Sequence, residues 1–184
     1  MRKTDIRVIY TKKVIREALF DCLKRTGSIK DVTVKEVCQL ANLNRTTFYK
    51  HYKDCFDVID QLENEEIKEF REILGNSEDL FSREVAEKII DLFDRYSDLT
   101  EAYANGSTGG RLKEKMIEVS HELFIDSWKA KYPRTKKKEV EMLFSSVSAV
   151  FFQLVITERD KYTMEESLGF LYRLISPLTE KKSK

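Results

Sequence analysis

The chain has 184 residues, 41% of them hydrophobic, with only six Gly and two Pro. That is enough apolar side chain for a buried core and excludes a disordered or loop-rich protein. The net charge of +1 hides an asymmetry: residues 1–53 carry 13 Lys/Arg against 5 Asp/Glu, a net of +8, and residues 54–184 carry 20 against 27, a net of −7. A basic head on an acidic body suits a protein whose head meets a polyanion. The start, Met1–Arg7, leads into no apolar signal-peptide core. The longest apolar run, Ala149–Ile156, is broken by Gln153 and is far shorter than the ~20 residues of a membrane span. The expected location is cytoplasmic, with no membrane partner.

Residues 1–10 are expected to form a polar arm. A first helix is predicted from about Lys12 to Arg25, with Ile15, Ala18, Leu19, Cys22 and Leu23 as its buried stripe and Gly27 as its stop. Thr33 followed by Glu36 is a capping box and starts a second helix. Its apolar face is Val34, Val37, Cys38 and Ala41, and Asn42-Leu43-Asn44 breaks it. Asn44 can cap a third helix, Arg45–Tyr52, through the N–H of Thr46 or Thr47. Asp54, with Asp57 three residues on, can cap a fourth, about Cys55–Leu74. Helices packed this closely leave room for little but a helix-turn-helix.

The run Thr46-Thr47-Phe48-Tyr49-Lys50-His51-Tyr52-Lys53-Asp54, with Thr33 and Ala41 before it, resembles the DNA-binding signature of TetR/AcrR-type transcriptional regulators. In that family the pattern TFY.HF..K closes the recognition helix. The resemblance covers about residues 10–60, and beyond residue 75 it is one of general architecture. The family's turn usually carries Gly where this chain has Asn42, a residue that tolerates the left-handed region. Where the family often has a small residue early in the recognition helix, this chain has Arg45.

The body is expected to hold five further helical stretches. Helix five, about Ser82–Asp98, should bury Val85, Ile89, Phe93 and Tyr96. A short piece follows at about Leu99–Ala104. Asn105–Gly110 is rich in glycine but is preceded by no strand and followed by no Lys-Ser/Thr, so it reads as a connection and not a phosphate loop. Helix seven spans about Arg111–Lys131, helix eight about Lys138–Arg159 and helix nine about Met164–Leu178. No stretch reads as a strand, so the fold class is all-α. The expected domains are a helix-turn-helix DNA-binding domain at 1–54, a connecting helix at 55–75, and a helical regulatory and dimerisation domain at 76–184.

Helices eight and nine each carry two apolar faces, where a surface helix needs one. Ser148, Ala149, Phe152 and Ile156 with Phe170 and Leu174 make the second set, the candidate dimer interface. The resemblance implies the same, because that family dimerises through its last two long helices. A twofold dimer offers two recognition helices to an inverted-repeat site.

The candidate DNA contacts are Thr33, Arg45, Thr46, Thr47, Tyr49, Lys50, His51 and Lys53. Arg45 can pair with guanine O6 and N7. Thr46 and Thr47 can meet base edges or phosphate. The resemblance places Tyr49 and His51 at phosphate or an adjacent base edge. Lys50 and Lys53 can neutralise phosphates, and Thr33 can anchor one with its hydroxyl. Arg2, Lys3 and Arg7 could reach a flanking groove. Phe48 and Tyr52 are expected to pack inward.

Phe93, Tyr96, Tyr103, His121, Phe124, Trp128 and Phe151 could line a cavity for a small-molecule effector, although aromatic residues at helical spacing are more often core. An enzyme is disfavoured: the chain has two His, with no metal spacing, nucleophile elbow or paired-carboxylate motif. No cofactor and no metal is implied. Cys22, Cys38 and Cys55 lack any Cys-x-x-Cys spacing, and only Cys55 leaves room for a reactive thiol. The function expected is a sequence-specific DNA-binding regulator, a repressor by resemblance. The alternatives are a helical protein–protein adaptor or an activator with a protein effector.

Overall fold

A computed structural model describes residues 3–77, 80, 82–108, 111–131, 134–151, 153–154, 158 and 161–179. Among these residues the regular structure is helical and no strand occurs. Helices α1 (Lys3–Thr26), α2 (Val34–Leu40), α3 (Arg45–Tyr49) and α4 (Cys55–Gly75) are followed by α5 (Arg83–Arg95), α6 (Ser97–Ala104), α7 (Leu112–Lys131), α8 (Lys137–Phe151) and α9 (Met164–Thr179). No helix among the described residues is long and apolar enough to cross a membrane.

The chain forms two compact units, Met1–Glu66 with Tyr96–Arg111, and Ile67–Arg95 with Leu112–Lys184. The first is built on the predicted stripe of α1. Ile15, Ala18, Leu19, Cys22 and Leu23 are all buried, together with Val37, Cys38, Phe48, Tyr52, Val58 and Ile59. The segment Tyr96–Arg111, which the sequence reading put in the body, packs here. The Ile29 N–H donates to the Ser107 carbonyl at 2.7 Å, and Lys24 pairs with Asp98 at 3.1 Å. Helix five ends at Arg95 and not at Asp98, and Tyr96 becomes the half-buried lead into α6.

The expected polar arm is also revised. Helix α1 begins at Lys3. No Gly or Pro interrupts the segment, and the Thr11 hydroxyl donates to the Arg7 carbonyl at 2.8 Å, so the helix runs on. Arg2 lies outside the described residues, while Lys3 and Arg7 lie in the helix. Cys55 is 4% exposed, and burial pushes its thiol up to about 12. That leaves it inert as a nucleophile, like the buried Cys22 and Cys38.

In the second unit, Phe124, Ile125 and Trp128 of α7 pack on Val140 and Phe144 of α8, with Ile117, Leu143 and Val147 at the margin. His121 Nε2 lies 2.7 Å from Glu141 Oε2 across the same pair of helices.

The turn between α2 and α3 has a specific geometry. Asn42 sits at φ 51°, the one positive φ among described residues other than glycine. The Leu43 N–H donates to the Cys38 carbonyl at 2.9 Å and the Asn42 N–H to the Gln39 carbonyl at 3.3 Å. These are the two bonds of a Schellman stop, which needs a left-handed residue at this point. Asn42→Ala should therefore cost about 1–2 kcal/mol, while Asn42→Gly should be neutral or slightly stabilising. Thermal melts of the two variants check this; equal losses would show that the Asn side chain, and not its backbone, matters.

Candidate nucleic-acid interface

Helix α2 is held at its start by the predicted capping box. The Glu36 N–H donates to Thr33 Oγ1 at 3.3 Å, and the Thr33 N–H donates to Glu36 Oε2 at 3.1 Å. The Thr33 hydroxyl also donates to Glu36 Oε2, at 2.7 Å. These bonds hold the Glu36 carboxyl below the usual carboxylate range, the hydroxyl contributing most. Thr33 is thus committed to its own helix, and a phosphate could take its hydroxyl only by displacing Glu36.

Asn44 caps α3, its Oδ1 accepting from the Thr46 N–H at 2.8 Å. The helix spans five residues, shorter than predicted. Phe48 points into the core and Tyr52 follows it, the two rings 5.8 Å apart. With that face buried, Arg45, Thr46, Tyr49 and Lys50 are exposed, as is Lys53 beyond the helix. Thr47 and His51 are half-buried. Tyr49 meets the edge of Phe48 at 5.6 Å yet keeps 57% of its surface open. The exposed set offers guanidinium, ammonium, hydroxyl and phenol groups, the donor types that meet phosphates and base edges.

The end of α3 is fastened by the expected Asp54–Asp57 cap and by Lys12, Arg16, Gln61 and Glu65, which the sequence reading did not single out. Asp54 Oδ1 accepts from the Asp57 N–H at 2.8 Å, and Asp57 Oδ2 accepts from the Lys53 N–H at 2.8 Å. This reciprocal cap starts α4 where expected. Gln61 Nε2 donates to the His51 carbonyl at 3.3 Å, and Lys12 Nζ donates to Gln61 Oε1 at 3.1 Å. Arg16 Nη2 donates to both Glu65 oxygens at 2.7 and 2.8 Å, while its Nε donates to the Tyr52 hydroxyl at 3.2 Å. The bonds of Lys12 and Arg16 join residues 36 to 49 apart in sequence, and helical periodicity carries no signal over such a span.

The aromatic residues proposed to line a cavity are divided by the fold. Tyr96 and Tyr103 belong to the first unit; Phe93, His121, Phe124, Trp128 and Phe151 belong to the second. Phe124 stacks on Trp128 with centroids 5.5 Å apart and meets Phe144 at 5.3 Å. His121 stands edge-on to Phe144 at 5.0 Å, and Phe93 lies 6.1 Å from Phe151. Phe93, Phe124 and Trp128 are buried, so packing accounts for most of their surface. His121 and Phe151 are half-buried.

Of the candidate interface residues, Phe170 and Leu174 on α9 are 43% and 45% exposed, one helical turn apart. On α8, Ala149 is exposed and Ser148 half-buried. Phe152 and Ile156 lie outside the described residues.

The architecture defines a helix-turn-helix head within an all-α protein, and solved structures share it. A candidate TetR-family transcriptional regulator from Syntrophomonas wolfei superposes with a TM-score of 0.69 at 16% identity, over 92% of this chain and 94% of that one. A candidate transcriptional regulator from Pseudomonas aeruginosa PAO1 gives 0.58 at 16% identity, over 91% of this chain and 89% of that one. The resemblance read from the motif thus holds at the level of fold. By sequence, the chain is 25% identical over 101 residues to YxbF of Bacillus subtilis strain 168, an uncharacterised HTH-type transcriptional regulator. That match takes in 48% of this chain, and the chain spans about a quarter of the relative's length, 24%. No family model matches the chain.

Proposed function

We propose that this chain is a TetR-type, sequence-specific DNA-binding regulator that acts as a homodimer on an inverted-repeat operator. The observation that carries this reading is the capped helix-turn-helix. Its short second helix turns Phe48 inward and leaves Arg45, Thr46, Tyr49 and Lys50 exposed. The net charge of +8 on residues 1–53 supplies the attraction to phosphate. The open apolar pair Phe170 and Leu174 supports a dimer, and twofold symmetry matches an inverted repeat. Repression, with release or modulation by an effector, is the mode of action we propose. Phe93, His121, Phe124, Trp128 and Phe151 of the second unit are the residues proposed to meet a small-molecule effector.

Selection from a random DNA pool tests the reading. The expected product is an inverted repeat with half-site centres about one helical turn apart, ~34–36 Å, or a multiple of it. Recovery of no enriched motif, with only weak and salt-sensitive binding, would overturn it. On the selected site, Arg45→Ala should cost ~1–3 kcal/mol and relax one base position. Lys53→Ala should weaken all sequences alike and lower the slope of log affinity against log salt by about one. Equal changes in base preference from both substitutions would refute this division of labour.

A further inference from the structure

The recognition helix α3 is too short to fix its own direction. Five residues make little more than one turn, and isolated helices below ~12–15 residues are marginal in water. Its aim must come from what holds its ends. Asn44 caps the first end. At the other end, contacts from two helices converge on three consecutive residues, His51, Tyr52 and Lys53.

From α1, Arg16 donates to the Tyr52 hydroxyl at 3.2 Å, and the Lys12 ammonium stands 5.4 Å over the centre of the Tyr52 ring. From α4, Gln61 holds the His51 carbonyl and Asp57 holds the Lys53 N–H. The two sides are tied to each other. Arg16 grips both oxygens of Glu65, and Lys12 reaches Gln61. A guanidinium engaged on both a carboxylate and a phenol has a fixed orientation, which a lysine could not reproduce. The Arg16 side chain keeps only 23% of its surface open and Glu65 keeps 42%, so the pair is partly withdrawn from water. The Tyr52 ring in turn rests on Phe48, the residue that anchors α3 in the core. A shift of the Tyr52 hydroxyl is therefore passed to the helix axis.

We infer that Arg16 and Glu65 are positioning residues for DNA reading: they act through Tyr52 to set the angle at which α3 presents Arg45, Thr46, Tyr49 and Lys50. The inference rests on the DNA-binding reading above. Side chains that read a base edge must be held within about 0.5 Å, and a supporting shell of locked neighbours is what achieves this. Arg16 is not itself a phosphate contact on this account.

The test measures binding of the full chain to its selected operator and to unrelated duplex DNA, at several salt concentrations, with thermal melts alongside. Arg16→Met keeps the apolar stem and removes the guanidinium. It should lower operator affinity about tenfold, the size expected for losing a charge-assisted hydrogen bond, with the salt slope unchanged and unrelated DNA much less affected. Tyr52→Phe and Glu65→Gln remove no bulk and should each lower operator affinity about threefold in the same selective way. Arg16→Met combined with Tyr52→Phe should be less than additive, because both break one bond. The inference is overturned if operator affinity is unchanged, if both DNAs weaken equally, or if the salt slope drops by about one. The last result would make Arg16 a direct phosphate contact. Should Arg16→Met melt below the assay temperature, the two conservative variants decide by the same criteria. A wild-type chain that selects no sequence overturns the DNA reading itself, so the wild-type arm separates the two failures.

Discussion

Phe48→Ala is expected to abolish operator binding by loosening the head that presents α3. Phe48 is fully buried and touches both Tyr49 and Tyr52. Truncating a buried Phe to Ala typically costs 3–5 kcal/mol, from lost burial and the cavity left behind. Domains as a rule hold only about 5–15 kcal/mol of stability, so the loss is a large part of it. Urea titration followed by circular dichroism should show a lower midpoint with a similar slope, and DNA binding should fall with the folded fraction. Phe56→Ala is the control. Phe56 lies on α4 with half its surface open, and its loss should change stability by less than about 0.5 kcal/mol. A Phe48→Ala variant with normal stability and normal binding would mean that α3 is not anchored through this ring.

Leu174→Asp should split the proposed dimer and leave a folded protomer. Leu174 is 45% exposed, so a carboxylate there can reach water in the monomer. In an apolar interface the same carboxylate would be buried without a partner, which is strongly unfavourable. Sedimentation should show a monomer with unchanged helical content. Operator affinity should fall by about 10²–10⁴, the avidity that joining two binding modules provides. Phe170→Asp, one turn away, should behave the same. A variant still dimeric at low micromolar concentration would remove this face of α9 from the interface.

The helix-turn-helix was legible because its signals are local. Thr33 with Glu36, Asn44 with Thr46, and Asp54 with Asp57 are caps within three residues of each other, and each is present. The stripe of α1 was legible for a similar reason: Ile15, Leu19 and Cys22 repeat with the helix. Contacts made across the fold were not legible. Arg16, Gln61 and Glu65 look like ordinary polar-face residues until α1 and α4 bring them together beside His51 and Tyr52. The return of Tyr96–Arg111 to the first unit was hidden because its glycine-rich end marks a connection but does not say which core the segment packs on. The exposure of Phe170 and Leu174 was expected from a second apolar face, but a helical period names no partner for that face.

Helix α3 separates its support from its exposed face. Asn44 and Phe48 hold it, and Arg45, Thr46, Tyr49 and Lys50 look outward. Exposed substitutions away from caps and cores usually change stability by less than about 0.5 kcal/mol. On the proposed DNA-binding reading, a lineage of such proteins can therefore move from one target sequence to another by changing four side chains without passing through unfolded intermediates. The same separation makes the head a scaffold for laboratory reprogramming, in which those four positions are varied and the Asn44 cap and the buried Phe48 are left untouched.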